Sequence, residues 1–210
     1  MEPTLLLMSG GLDSTSLMLH LLHRKESLVL FHVDYGQKAF IAEMTSVSYF
    51  AKKYKIPVKW ASVDVSQLGV HASVLKNTPV GKKQEENKLD GRNILLVAMA
   101  AMFASASGIR KIVVGFHKEP STAPFPDATF ETWQALGNVL ETAFRPAIEI
   151  EAPFWSCSRL EILKFGINLD GELVKKTFTC YESGPDECGV CVHCLAKRDM
   201  LLRLKEEGVA

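Results

Sequence analysis

The chain carries no surplus of charge of either sign: 24 Lys and Arg are offset by 24 Asp and Glu across 210 residues. A broad grip on the phosphate backbone of long DNA or RNA needs clustered basic excess, so only small local patches could serve that purpose. Long apolar runs are missing too. The longest, residues 94–106, contains Ser105 and falls short of the ~20 residues a membrane span requires. Met1-Glu2-Pro3 opens the chain without the basic stretch, apolar stretch and cleavage site of a secretory leader, so the expected location is cytoplasmic, with no membrane partner. Internal repeats and low-complexity tracts are absent. Apolar residues nevertheless make up 47% of the chain, which excludes wholesale disorder. The length suits one medium domain with a small appendage.

Cysteine is scarce until late in the chain. Of five, the first is Cys157, and the other four fall within fifteen residues as Cys180-x7-Cys188-Gly-Val-Cys191-x2-Cys194. In a reducing compartment such spacing points to a metal rather than to disulfides. Four thiolates suit tetrahedral Zn²⁺, and four protein ligands leave no position for an activated water, so the expected role is structural. A redox dithiol needs only two of the four, and chance clustering of buried cysteines is the other alternative. His193 lies between two of the cysteines and could replace one as ligand. Cys157 reads as a small packed residue.

The rest of the chain has an α/β rhythm. Strands are expected at residues 4–8, 28–33, 58–63, 111–116 and 147–151, and helices from Ser14 or Thr15 onward and over 39–54, 93–107, 130–144, 159–165 and 197–207. The Ala-rich 93–107 helix is almost wholly apolar and is expected to lie buried against the sheet. Residues 66–91 are polar, without apolar periodicity, and read as a loop or lid; residues 117–127 read as a Pro-rich loop. This alternation predicts an α/β fold, an open and mostly parallel sheet with helices on both faces, over residues 1–170, followed by a small cysteine segment and tail helix over 171–210.

The first strand runs directly into Ser9-Gly10-Gly11-Leu12-Asp13-Ser14-Thr15. Paired glycines let a backbone turn tightly and approach an anion, and the helix that follows aims its unpaired amides at the same point. Hydroxyls of Ser9, Ser14 and Thr15 would add donors. Neither the lysine of a G-x4-GK[ST] loop nor a G-x-G-x-x-G pattern is present. A helix N-cap after a tight turn would use the same residues.

Ser-Gly-Gly-x-Asp-Ser after an N-terminal strand resembles the PP-loop ATP pyrophosphatases, of the adenine nucleotide alpha hydrolase-like fold. Asp34-Tyr35-Gly36-Gln37, then Gly91-Arg92-Asn93, then Thr179-Cys180-Tyr181 and Cys188-Gly189-x-Cys191-x2-Cys194 narrow the resemblance to the QueC family, over nearly the whole length. The resemblance implies that Ser9, Gly10, Gly11, Asp13, Ser14 and Thr15 hold the phosphates of ATP and Mg²⁺, with Asp34, Tyr35, Gly36, Gln37, Gly91, Arg92 and Asn93 beside them. It makes Asp13, Arg92 and Asp127 the catalytic candidates. The guanidinium of Arg92 suits a phosphate or carboxylate, although a solvated surface arginine would look the same. Asp127 would accept the paired N–H donors of a deazaguanine edge, or else cap the helix beginning near Thr129.

The implied reaction is adenylation of the carboxylate of 7-carboxy-7-deazaguanine, then amination by ammonia or another amine, giving the amide and, after a second ATP-dependent dehydration, the nitrile. The family's substrate loop commonly reads Ser-Gly-Tyr-Pro-Asp-Cys-Arg, whereas here only Pro126-Asp127 matches, and Asp90 stands where the family tends to have Pro. Two other readings follow. QueC-like proteins of antiphage (CBASS) settings suggest conjugation to an amine of a partner protein. A non-catalytic nucleotide-binding module would instead use the cysteine segment to meet RNA or a partner, but Lys82-Lys83 and Lys197-Arg198 are short basic patches. A homodimer is implied by the family alone.

Overall fold

A computed structural model describes residues 2–69, 72–76, 78, 89–117, 125–182 and 184–209. The buried strand β1 (Thr4–Leu7) opens the fold and is followed by α1 (Leu12–His23), β2 (Leu28–Asp34), α2 (Phe40–Tyr54) and β3 (Val58–Ser62). Then come α3 (Arg92–Ala106), β4 (Lys111–Val113), α4 (Phe130–Ala143), β5 (Glu149–Glu151), α5 (Arg159–Leu169), the single turn α6 (Leu173–Lys176) and α7 (Val192–Glu206). The five strands pair in parallel in the order β3-β2-β1-β4-β5. No helix among the described residues is long and apolar enough to cross a membrane.

Side-chain alternation along the strands divides the core in two. Leu6, Met8 and Leu30 join Leu17, Leu21 and Val47 of α1 and α2, Ile162 and Leu163 of α5, and Leu204 of α7 on one face. Their neighbours Leu5, Phe31 and Val33 face Val97, Ala100, Ala101 and Ala104 of α3 and Leu136 and Leu140 of α4. Gly166 of α5 lets that helix lie directly on α1, since a Cβ there would stand against Ser16 Oγ and 2.5 Å from Leu173 Cδ2. Gly166→Ala is therefore expected to cost about 2 to 3 kcal/mol by overpacking, read as a lower denaturant midpoint at unchanged slope.

Several expected boundaries move. α1 starts at Leu12, two residues before the serine expected to open it, because Gly11 is its N-cap and makes no side-chain cap bond. α7 begins at Val192, inside the cysteine segment, with Cys191 as N-cap, and α5 continues to Leu169. β4 and β5 are shorter than expected. The apolar α3 is not buried all round: a stripe of small residues meets the sheet while Ile94 and Met102 are exposed. Its side-chain sizes, rather than its mean hydropathy, decide which face packs.

Half of the supposed lid, including residues 79–88, lies outside the described residues, as do residues 118–124 of the Pro-rich loop. The flanks of the 66–91 segment are packed rather than loose. A 3-10 turn covers Val65–Leu68, and Ala72, Val74, Leu75 and Leu89 bury themselves around Tyr35.

Candidate active site

The strand order places a topological switch between β1 and β4, because the chain steps outward from β1 to β3 and then returns to the other side of β1. The turns leaving the two strands diverge at their carboxyl ends and open a crevice there. A cleft of about 280 Å³ occupies that position, lined by Ser9, Gly11, Asp13 and Ser14 after β1, by Val114–Phe116 after β4, and by Arg92 and Asn93 opening α3. A roomier cavity, about 740 Å³ between α4 and β5, holds none of the expected site residues. Charge and helix ends converge instead on the smaller cleft, which makes it the candidate site.

At Gly10 the backbone takes φ +79°, and an added Cβ would lie 2.7 Å from the Glu43 carbonyl oxygen. Only glycine accommodates both constraints. The Gly10 carbonyl accepts from Ser46 Oγ at 2.7 Å and from Phe178 N at 3.1 Å, so α2 and the segment before the cysteines clamp the loop from outside. Gly10 thus shapes the cleft without lining it. The loop's hydroxyls also bond within the loop. Ser9 and Ser14 hydroxyls lie 3.0 Å apart in a hydrogen bond, Ser9 N donates to Ser14 Oγ at 3.2 Å, and Gly11 N donates to Ser9 Oγ at 3.4 Å. Thr15 is fully buried beneath the loop. The amides of Leu12, Asp13 and Ser14 have no acceptor among the described residues, so the first turn of a twelve-residue helix presents three donors of the kind that suit an anion.

Asp13, on that first turn, is gripped by Arg159, whose Nη2 donates to Oδ2 at 3.1 Å and Nε to Oδ1 at 3.5 Å; His117 Nε2 is 3.7 Å away. Burial opposes its ionisation, but these partners prevail and hold the carboxyl at about 2. Arg92 is half-buried beside the phenols of Tyr35 and Tyr181; burial opposes its charge while the two phenols raise its pKa. Asn93 lines the cleft, and its backbone N–H donates to Asp127 Oδ2 at 2.9 Å. Asp127 is buried and caps α3 across the fold, whereas the N-cap of α4 is Thr129, which accepts from Thr132 N. Of the two readings of Asp127, the alternative, capping of α4, is overturned, since the carboxylate serves α3; it does not line the cleft.

The Asp34-Tyr35-Gly36-Gln37 turn splits between two hollows. Tyr35 and Gln37 reach the cleft, while Asp34 and Gly36 line only an adjoining one of about 430 Å³. Gln37 is 2% exposed and works inside the protein: Oε1 accepts from Tyr35 N, and Nε2 donates to Val33 O and Glu43 Oε2. Gly91, with φ +75°, is the N-cap of α3 and does not line the cleft.

Arg159, His32, Glu43 and His193 line the cleft without having been expected there. A signal existed for two of them: Arg159 opens a helix next to a capping serine, and Glu43 falls on the inner face of α2. Their convergence on the loop is tertiary. Burial raises the Glu43 carboxyl to about 7 against the Gln37 hydrogen bond and the Arg92 charge, with Asp34 adding to the rise. A raised folded-state pKa favours the fold below the ordinary carboxyl range and loses that advantage as the pH climbs through about 7. The stability gap between Glu43→Gln and wild type should thus shift toward the variant by about 3 kcal/mol between pH 4.5 and pH 8 in denaturant titrations. A pH-independent gap would contradict the buried carboxyl. Asp13 has the opposite sign, losing its contribution only as pH falls from about 4 toward 2, so most of that window is free of it.

The four clustered cysteines bring their sulfurs within 4.8 Å of one another, with Cys180–Cys191 at 3.9 Å and Cys188–Cys194 at 4.0 Å. Tetrahedral thiolates about 2.3 Å from one ion would stand about 3.8 Å apart, so the set can hold a metal. Amides of Glu182 and Cys188 point at Cys180 Sγ, and that of Cys191 at Cys188 Sγ. His193 is not among the ligand atoms; its ring packs on Tyr181 with centroids 3.8 Å apart. Cys157 lies half-buried outside the cluster, against the α1 core.

Comparison with known proteins agrees with this geometry. Residues 3–205 match the family model described as queuosine biosynthesis protein QueC. A 7-cyano-7-deazaguanine synthase of Methanocaldococcus jannaschii is 29% identical over 93% of this chain and 92% of its own. One from Chlorobaculum parvum is 30% identical over 90% and 87%. In fold, a 4-thiouridine synthetase solved with RNA and bound ATP superposes with a TM-score of 0.56 at 14% identity, over 99% of this chain and 52% of that one. With a cradle at the switch point, an arginine fork beside it and a four-cysteine cluster closing the fold, the chain belongs to the QueC family.

Proposed function

We propose that the protein is an ATP-dependent 7-cyano-7-deazaguanine synthase, activating the carboxylate of 7-carboxy-7-deazaguanine for amination by ammonia. The observation that supports this best is the set of three unpaired α1 amides facing Arg92 across a cleft of nucleotide-binding position. A carboxylate oxygen of the substrate attacks the α-phosphorus of ATP, and pyrophosphate leaves with the electron pair of the broken P–O bond. The protein's contribution is alignment and charge neutralisation, from the amides of Leu12, Asp13 and Ser14 and from the Arg92 guanidinium. Arg159 holds Asp13 in one ionised orientation at the edge of that cradle. An ionised carboxylate there fits Mg²⁺ accompanying the nucleotide, and the ion would add charge neutralisation on the leaving diphosphate. Zn²⁺ is the metal we assign to Cys180, Cys188, Cys191 and Cys194, on the strength of four thiols and sulfur spacings near the tetrahedral value.

Pyrophosphate release tests the reading. With ATP and 7-carboxy-7-deazaguanine, release should depend on the acid, and mass spectrometry with ammonium present should show the amide or the nitrile. Bound ATP without acid-dependent release would identify a nucleotide-binding module instead, and a protein adduct would identify a conjugating enzyme.

A further inference from the structure

One pair in the cleft, a buried histidine and a half-buried carboxyl, is used by none of these steps. His32 of β2 is 2% exposed, and its Nδ1 lies 2.7 Å from the Met8 carbonyl oxygen. A carbonyl only accepts, so Nδ1 carries the hydrogen, and Nε2 presents a lone pair. That Nε2 is buried and has no hydrogen-bond partner among the described residues. Glu43 Oε2 stands 3.8 Å from it, too far for a hydrogen bond between them but suited to one small donor bonded to both. The rings of Phe40 and Trp60 enclose the imidazole at 5.7 and 5.2 Å. The facing charged groups are Asp34 and Arg92, and the polar neighbour is Gln37.

We propose that His32 Nε2 and Glu43 Oε2 together form the seat of the attacking amine, holding ammonium through its N–H donors beside the activated acyl group. This rests on the synthase reading above. Two acceptors, one neutral and one carboxylate, with aromatic rings around them, match a small cation that carries several N–H groups and has little room for carbon. Ammonium gives one proton to the Glu43 carboxylate. Neutral ammonia then forms the C–N bond as the acyl C–O bond breaks, and the departing AMP phosphate takes the electron pair and a second proton. Burial that favours the protonated carboxyl assists the first transfer.

Steady-state kinetics of Glu43→Gln and His32→Gln test the seat. The KM for ammonium should rise ~10- to 100-fold in each, the loss of one charge-assisted or buried hydrogen bond, with the KM for ATP within about threefold of wild type. A rise in both KM values, or a fall in kcat at unchanged ammonium KM, would overturn the proposal in favour of a merely structural pair. Should either variant fold poorly, the wild-type protein decides by long-range ¹H–¹⁵N spectra. Ammonium chloride, but not tetramethylammonium chloride, which has no N–H donor, should shift the His32 Nε2 resonance. No shift overturns the seat even if synthase activity is present, whereas absent acid-dependent pyrophosphate release with the shift intact removes the reaction and leaves the binding site.

Discussion

Cys180→Ala is expected to release the metal and lower the melting temperature by more than about 10 °C, with loss of activity as a consequence. Cys180 is 1% exposed, lies in a small cluster with Ala39 and Phe178, and accepts two backbone N–H groups. Removing one of four thiolates opens the site and exposes three others without their shared ion. Structural zinc sites contribute ~10 kcal/mol or more to folding at neutral pH, comparable to a whole domain's stability. In a chain of this length each kcal/mol lost lowers the midpoint by about 2 to 4 °C, so even partial forfeiture passes the stated threshold. The damage reaches the cleft by a short route. Phe178 N clamps the Gly10 carbonyl, Thr179 N donates to Glu187, and Lys197 of α7 is paired with Glu187 at 3.0 Å. Metal analysis should find about one equivalent of zinc in the wild type and in Cys157→Ala, and none in Cys180→Ala. Full metal content in Cys180→Ala would remove the structural assignment.

Arg92→Ala should lower acid-dependent pyrophosphate release by ~10²- to 10³-fold at saturating ATP, the usual loss when one preorganised donor to developing charge is removed. The guanidinium lies in the cleft lining with Tyr35 and Tyr181 beside it. Arg92→Lys is expected to recover little of the loss, because a single ammonium cannot present a paired fork to a phosphate. Folding should change modestly, since the α3 amide of Asn93 is capped by Asp127 and the stripe of Val97, Ala100, Ala101 and Ala104 is untouched. Circular dichroism and melting separate the two effects. Release within threefold of wild type would show that Arg92 is a wall residue only.

Much of the fold was legible in local pattern. β1 and β2 are apolar runs too short for helices, and Leu17, Met18 and Leu21 recur at helical spacing behind a glycine pair, so strand, loop and helix follow from periodicity and turn chemistry. Less legible was anything set by side-chain volume. The turn of α6 and the early start of α7 depend on Leu173 and Cys191 finding buried positions against distant elements. Composition placed the apolar α3 against the sheet, but that its small residues are the ones to pack there was not legible. In the site, the hydroxyls of Ser9 and Ser14 read as ligand donors in sequence and bond to each other in the fold, because the tight turn brings them within 3.0 Å.

The cysteine spacing and the glycine-rich bend between a strand and a helix needed no coordinates to be recognised, since both are short-range devices whose ligand chemistry lies in neighbouring residues. The pairing of Arg159 with Asp13, the capping of α3 by Asp127, and the meeting of His32 with Glu43 arise only when the parallel sheet and its two helical layers bring separate segments together. Their partners are as many as 146 residues apart in the chain, a separation over which no periodicity carries information. Burial, which raises the Glu43 carboxyl and leaves the His32 nitrogen without a partner among the described residues, is likewise a property of the assembled core.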